Sequence, residues 1–192
     1  MKRLQGGRDG AGLRVGVIVS RFNEAVTEAL LKGALEALTE VGVPDGGITV
    51  VSVPGAFELP GAASKLAGSG AVDAVVCLGA VIRGDTEHFT FVAAAAQEGI
   101  LRVILDTGIP VSFGVLTTED VGQAEDRAGG PDGSGAGNKG YEVALDAVEM
   151  ANLYRLLATA AAVDGRGGQV KPDVADADVV DAGVRRMPLL HE

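Results

Sequence analysis

The stretch LRVGVIVS, residues 13–20, decides the fold class of this protein. It is almost uninterruptedly apolar and rich in β-branched residues, which is typical of a parallel strand buried on both faces. Three later stretches have the same character, namely ITVVSVP at residues 48–54, AVDAVVCLGAVI at residues 71–82 and PVSFGVLT at residues 110–117. The sequence therefore predicts four buried strands.

Segments with a helical period separate these strands. Asn23 can cap a helix in which apolar residues recur every three or four positions as far as Val41. ILRVILD, residues 100–106, is β-branched enough to be a strand, but we predict that it continues a helix. The other predicted helices cover residues 59–66, residues 86–108, a short acidic stretch headed by Thr118, and residues 139–162. Strands that alternate with helices indicate an α/β fold.

The composition bounds the function. The chain has 192 residues and a formal net charge of -10, which suits a single domain and argues against a nucleic-acid partner. It has no unbroken apolar run near the ~18 residues that cross a membrane. The one cysteine, Cys77, has no partner for an intrachain disulfide, and the N-terminus does not resemble a secretory signal. We therefore expect a cytoplasmic protein that does not bind membranes.

Two terminal segments lack the periodic pattern of packed structure. We expect a flexible N-terminal segment at residues 1–12, one domain at residues 13–160 and a disordered tail at residues 161–192. The glycine-rich stretch GGPDGSGAGN, residues 129–138, is predicted to be a loop.

Chemistry-bearing residues follow the strands, where ligands of open parallel sheets bind. Phe22, Phe57 and Phe113 lie at or beside strand ends, where aromatic rings either stack on a planar ligand or simply extend the core. The turn at residues 84–86, GDT, precedes a helix and offers main-chain amides to an anion. His88 follows on the first turn of that helix and is suited either to proton transfer or to a structural hydrogen bond.

Arg127 opens the glycine-rich loop after an acidic helix. Its guanidinium either pairs with those acids or binds a phosphate. The sequence contains no glycine fingerprint for a dinucleotide or a nucleoside triphosphate, and no serine-hydrolase elbow. No histidine, cysteine or carboxylate cluster has the spacing of metal ligands. These sequence features argue against a metal site and against a dinucleotide or nucleoside-triphosphate cofactor.

In this order and spacing, the strand-end motifs resemble those of the 6,7-dimethyl-8-ribityllumazine synthases, over residues 13–157. The motifs are SRFN at residues 20–23, PGAFELP at 54–60, GAVIRGDTEHF at 79–89, FGVLTTE at 113–119 and NKG at 138–140. The resemblance implies a flavodoxin-like three-layer sandwich with a four-stranded parallel sheet and helices on both faces. It also implies the penultimate step of riboflavin biosynthesis. This step is the condensation of 5-amino-6-(D-ribitylamino)uracil with 3,4-dihydroxy-2-butanone 4-phosphate, without a metal ion or an organic cofactor.

The resemblance further implies a role for individual residues. His88 would transfer protons. Phe22 would stack on the pyrimidine, and Asp85 and Thr86 would receive the phosphate. The other substrate-binding residues would be Ala56, Phe57 and Glu58 on the ribityl chain, Ala80, Val81 and Ile82 at the ring edge, and Phe113 and Arg127.

The same family places its sites between adjacent subunits of a pentamer, with the counterparts of Phe113 and Arg127 reaching in from the neighbour. Some members assemble twelve pentamers into a 60-subunit shell. Residues 130–136 replace a shorter connection that usually carries a further lysine, and such insertions favour the free pentamer, which we expect here.

Two alternatives remain at this stage. An archaeal-type riboflavin synthase shares the fold, but its substrates carry no phosphate. The phosphate-binding set of residues 84–86 and Arg127 would then have no purpose, which argues against this alternative. In a noncatalytic lumazine- or flavin-binding shell protein, Phe22 and Phe57 would bind the ring but no reaction would follow. The presence of both His88 and Arg127 argues against it.

Overall fold

A single parallel sheet forms the centre of the protein. The computed structural model describes residues 3–130 and 135–163. Its strands are β1 (Val15–Ser20), β2 (Ile48–Val53), β3 (Ala74–Ile82) and β4 (Val111–Thr118). They are all parallel and lie in the order β2-β1-β3-β4. The predicted four-stranded parallel sheet is confirmed.

Within the described residues, five α-helices connect and flank the strands. They are α1 (Glu24–Glu40), α2 (Leu59–Ala67), α3 (His88–Thr107), α4 (Val121–Arg127) and α5 (Lys139–Val163). The ambiguous stretch at residues 100–106 lies inside α3, as predicted. Gly108 ends this helix in the left-handed conformation (φ 65°), which glycine adopts without the clash of a Cβ.

Two predicted helix starts need correction. Thr118 is the last residue of β4 and does not head α4. Asp120 caps α4 instead, because its side chain accepts a hydrogen bond from the amide of Gln123 at 2.8 Å. Asn23 does precede α1, but its side chain makes no capping hydrogen bond with that helix.

The sheet is covered on both faces, which explains why its central strands are apolar throughout. Every residue of β1 is buried, and alternate side chains face opposite layers. Val17 packs in a core with α1 and α5, whereas Ile18 packs in a second core with α2 and α3. The protein thus has the predicted three-layer, flavodoxin-like α/β architecture.

The N-terminal segment contacts α5, although the sequence predicts flexibility there. Arg8 forms an ion pair with Glu149 at 3.3 Å. The side-chain amide of Asn152 donates to the main-chain oxygens of Gly7 and Asp9, both at 2.9 Å. Of the predicted tail, residues 164–192 lie outside the described part of the chain, and residues 161–163 belong to α5.

Helix α3 has the length and composition of a membrane-spanning helix, with a mean hydropathy of 1.2. Length and composition do not separate such a helix from the core helix of an α/β domain. Ala96, Ile100 and Val103 of α3 are buried, and Ile100 and Val103 belong to the core shared with α2. Helix α3 is therefore one of the helices that cover the sheet in this structure.

Candidate functional site

A cavity of about 660 Å³ lies outside the carboxyl ends of β1, β2 and β3. Strand order reverses at this point, because the chain leaves β1 towards β2 on one side and returns to β3 on the other. Crevices at such reversals are the usual ligand sites of open α/β sheets. The cavity is lined by Phe22, Pro54, Gly55, Ala56, Phe57, Glu58, Ala80, Val81, Ile82, Gly84, Thr86, His88, Phe89 and Val92.

Nine of the residues predicted for the site line this one cavity. They come from three separate segments of the chain and are Phe22, Ala56, Phe57, Glu58, Ala80, Val81, Ile82, Thr86 and His88. The other three predicted residues, Asp85, Phe113 and Arg127, do not line it. Asp85 is in the turn between β3 and α3, next to the cavity residues Gly84 and Thr86.

The aromatic walls are solvent-exposed in the single chain. The side chain of Phe22, at the end of β1, is 69% exposed, and that of Phe57, beyond the end of β2, is 62% exposed. Ala56, by contrast, is buried and belongs, with Leu59, to the core that α2 and α3 share. Two large exposed aromatic rings above a buried apolar floor suit a flat organic ligand that covers them.

The turn after β3 brings the polar groups into the cavity. His88 is the first residue of α3, and Thr86 lies just before it. The N-terminus of α3 directs unpaired amides and the positive end of the helix dipole at this corner. An anionic group bound there would lie beside the imidazole of His88.

Arg83 fixes this turn from the outside. Its main-chain amide donates to the oxygen of Thr118 at 2.9 Å, and its Nε donates to Glu119 Oε2 at 2.5 Å. The guanidinium carbon lies 4.5 Å from the centre of the Phe89 ring, which lines the cavity. The Arg83 side chain is therefore occupied by contacts with Glu119, just after β4, and with Phe89.

The lining residues carry little charge of their own. Among the described residues that line the cavity, Glu58 and His88 are the titratable ones, and none is lysine or arginine. A phosphate dianion needs more compensation than amides and a hydroxyl provide in a partly apolar cavity. A cation for a phosphate ligand would have to come from outside this set.

Arg127 and Phe113 lie away from the cavity. Arg127 is the last residue of α4, and its Nη1 donates to the main-chain oxygen of Gln123 at 2.9 Å. Phe113 belongs to the edge strand β4 and pairs in register with Cys77, well before the carboxyl end of the sheet. Both side chains are exposed on the surface of the single chain.

A second cavity, of about 410 Å³, lies between α1 and α4. Its charged lining residues are Glu125 and Asp126, so it does not suit an anion. Within residues 3–130 and 135–163, no three histidine, cysteine, aspartate or glutamate residues are grouped as metal ligands. The strand-end cavity therefore remains the candidate site.

The sequence analysis missed Phe89 and Val92 as lining residues. A signal was available for Val92, because it lies four positions after His88 and three after Phe89 and so shares a side of the first turns of α3 with both. It also missed Pro54 and Gly55, which follow β2 directly and border the cavity.

The fold and the position of the cavity define the class of this protein: it is a flavodoxin-like α/β protein whose candidate ligand site lies at the reversal of strand order. A comparison with protein-family models narrows the class. Residues 12–155 match the model for 6,7-dimethyl-8-ribityllumazine synthase. Because the match covers well over half of the chain, the chain belongs to this family, and the resemblance seen in the motifs is confirmed. The family acts in riboflavin biosynthesis.

Proposed function

We propose that this protein is a transferase that condenses 5-amino-6-(D-ribitylamino)uracil with 3,4-dihydroxy-2-butanone 4-phosphate to 6,7-dimethyl-8-ribityllumazine. The observation that supports this most is that Phe22 and His88, which are 66 positions apart in the sequence, line the same cavity. A planar heterocycle stacked on Phe22 would then have its reacting amine in the same cavity as the imidazole of His88.

The chemistry asks little of the protein beyond orientation. The primary amine of the pyrimidine attacks the ketone and water is lost as the imine forms. Inorganic phosphate leaves next, and the second amine closes the ring with loss of another water. Holding two reactants in register can supply most of the acceleration for such steps. His88 would carry protons between them, a contribution of about 10²- to 10⁴-fold.

The walls of the cavity suggest how the pyrimidine substrate lies. Phe22 would stack on the ring, while Val81 and Ile82 at the end of β3 would border its edge. Ala56, Phe57 and Glu58 lie together in one short turn before α2. Carbonyl, amide and carboxylate groups in one turn suit the hydroxyls of a ribityl chain.

The phosphate of the second substrate would bind at Asp85 and Thr86, at the N-terminus of α3. Because the cavity's own lining has no cation, we propose that Arg127 of an adjacent copy completes this pocket. Phe113, also exposed and outside the cavity, would reach the same boundary. The functional unit is then a homo-oligomer, a pentamer with its sites between subunits.

Exposed apolar side chains support assembly. Phe91 and Leu105 on α3 are 70% and 74% exposed, and Phe57 beside the cavity is 62% exposed. Large apolar side chains left in water favour burial against another copy. We propose that the enzyme is cytoplasmic and uses neither metal nor organic cofactor. Residues 130–136 lengthen the connection between α4 and α5, which favours a free pentamer over a shell. A light-scattering mass near that of sixty chains would refute the free pentamer.

The deciding experiment mixes both substrates with the full-length protein and follows lumazine fluorescence and phosphate release together. Equal amounts of lumazine and phosphate support the proposal. Binding of lumazine without phosphate release points to a noncatalytic binding protein. Riboflavin formed from lumazine alone points to a riboflavin synthase.

A further inference from the structure

Asn23 has an unusual backbone conformation next to the proposed stacking residue. Its φ of 61° and ψ of 46° lie in the left-handed region, and no other non-glycine residue in 3–130 or 135–163 has a positive φ. A Cβ makes this conformation costly, although asparagine tolerates it better than most residues. Asn23 directly follows Phe22, so the unusual turn lies at the mouth of the cavity.

The side chain of Asn23 is engaged away from its own helix. An asparagine that precedes a helix ordinarily bonds one of the first amides of that helix. Asn23 makes no such bond, and its Nδ2 instead donates to the main-chain oxygen of Ala80 at 2.9 Å. Regular pairing of β1 with β3 ends at Val19 and Leu78, so this side chain continues the connection beyond the ladder.

The other side of the same turn is bonded to β2. The amide of Arg21 donates to Val53 O at 2.9 Å, and the amide of Phe22 donates to Pro54 O at 3.1 Å. The turn is thus held between two neighbouring strand ends. Main-chain amides bond this turn to the end of β2, and the side chain of Asn23 bonds it to β3.

We propose that Asn23 is a positioning residue, which fixes the Phe22 ring relative to the β3 wall of the cavity and so sets the affinity for the heterocyclic substrate. The inference rests on the proposed function for the identity of that ligand. Ala80 itself lines the cavity, so the bond ties the stacking residue to the opposite wall. Phe22 is 69% exposed, so little else restrains it. If the bond were lost, its ring could sample other positions before substrate binds, and ordering it again would reduce the affinity.

The test uses Asn23→Gly, because glycine keeps the left-handed conformation accessible while the Nδ2 donor is lost with the rest of the side chain. The KM for the ribitylaminouracil should rise about three- to tenfold, the effect of one neutral hydrogen bond. The KM for the butanone phosphate and kcat should stay within about twofold, since the chemical groups are untouched. Equal changes in both KM values, or a loss confined to kcat, would overturn the proposal.

Asn152→Ala is the matched control. Asn152 also donates its side-chain amide to main-chain oxygens, but those belong to the N-terminal segment and not to the cavity. This variant should leave both KM values unchanged. If it raised the KM for the pyrimidine as Asn23→Gly does, the effect would be a general one of lost stability and the proposal would fail.

A double-mutant cycle tests whether Asn23 acts through Phe22. In a Phe22→Ala background, Asn23→Gly should change pyrimidine affinity by less than about twofold, since the ring to be positioned is gone. A full effect in that background would overturn the proposal.

Should Asn23→Gly fail to fold, Asn23→Asp serves instead, because aspartate tolerates the same backbone conformation and its carboxylate cannot donate to Ala80. Asn23→Asp with an unchanged pyrimidine KM would contradict the inference.

A measurement without substrate separates this inference from the proposed function. Hydrogen exchange of the Arg21 and Phe22 amides should be faster in Asn23→Gly than in the wild-type protein, and unchanged exchange would overturn the positioning role. If the wild-type protein made no lumazine, the proposed function would fail, while the exchange result would still decide the inference.

Discussion

The Nδ2 atom of Asn138 lies 2.7 Å from the main-chain oxygen of Ala128, and the same atom lies 2.8 Å from the oxygen of Ala29 in α1. The Oδ1 atom accepts from the amide of Gly140 at 2.7 Å. One fully buried side chain therefore joins the end of α4, the middle of α1 and the start of α5. These bonds hold Ala128, the residue after Arg127, against α1 and the start of α5.

Asn138→Ala should destabilise the protein markedly. It removes the side-chain partner of two main-chain oxygens, of Ala128 and Ala29, and of two amides, of Gly140 and Tyr141, all of them buried or partly buried. We expect this loss to lower the free energy of unfolding by about 2–4 kcal/mol. Urea unfolding followed by circular dichroism measures the loss. Asn152→Ala, which removes two bonds at the surface, should cost less than about 1 kcal/mol. Equal losses in the two variants would show that the packing of α1, α4 and α5 against one another does not depend on Asn138.

His88→Ala should slow turnover about 10²- to 10⁴-fold, the usual contribution of a general acid-base. Binding of the pyrimidine substrate should change little, because the stacking and ribityl-binding residues remain in place. Stopped-flow turnover and equilibrium titration of the pyrimidine separate the two quantities. The other histidine of the sequence, His191, lies outside the residues 12–155 that match the family model, so His191→Ala is the control and should keep full activity. A large loss of pyrimidine binding in His88→Ala would mean that His88 positions substrate instead.

Asp73 should make stability fall in acid. Partial burial by itself raises the pKa of Asp73, but hydrogen bonds from Arg14 and the charges of Arg14 and Arg155 outweigh it, and the net pKa lies below the ordinary 3.8. Its ionised form is therefore favoured in the folded state. The stabilisation is present above pH 3.8 and is lost as the pH falls through the lowered pKa.

The variant Asp73→Asn checks this dependence. It should lower the unfolding midpoint at pH 7, and the difference from wild type should shrink as the pH falls below 3.8. Asp45→Asn, in the exposed turn before β2, should have little effect at either pH. A difference that stays constant down to pH 2 would mean that the carboxylate charge contributes nothing.

Cys77 should be unreactive in the folded protein. Burial raises the pKa of its thiol from the ordinary 9.0 to about 12, because the thiolate would be desolvated in the centre of β3. A thiol reagent at pH 8 should label the unfolded chain and leave the native chain unlabelled. Because the folded pKa is the higher one, stability should decrease as the pH rises from 9.0 towards 12. Rapid native labelling would show that β3 opens readily.

The sheet was predictable from sequence because both of its faces are covered. Residues 13–20 and 71–82 read as continuous apolar runs for that reason, and strand ends could then be located within a few residues. Once the strands were located, the cavity followed, since the carboxyl ends of parallel strands meet at one edge of the sheet. Phe22, Glu58 and His88 were found in this way.

The finer contacts depend on partners far away in the chain. Asparagine is a common helix cap, so the sequence predicts that Asn23 caps α1. Its side chain bonds Ala80 O instead, and Ala80 is 57 positions away in the sequence. Arg83 likewise bonds Glu119, 36 positions away. Local pattern contains no information on such pairs. The same limit applies to Arg127 and Phe113, whose proposed partners belong to another copy.

Mixed oligomers of His88→Ala and Arg127→Ala test the central claim, a site shared between two subunits, most directly. Each variant alone should be nearly inactive at low concentrations of the butanone phosphate. Unfolded and refolded together in equal amounts, they should regain lumazine formation, because about a quarter of the subunit boundaries then combine an intact His88 with an intact Arg127. Activity no greater than the sum of the two separate variants would show that both residues act within one chain, or that Arg127 does not act in the site.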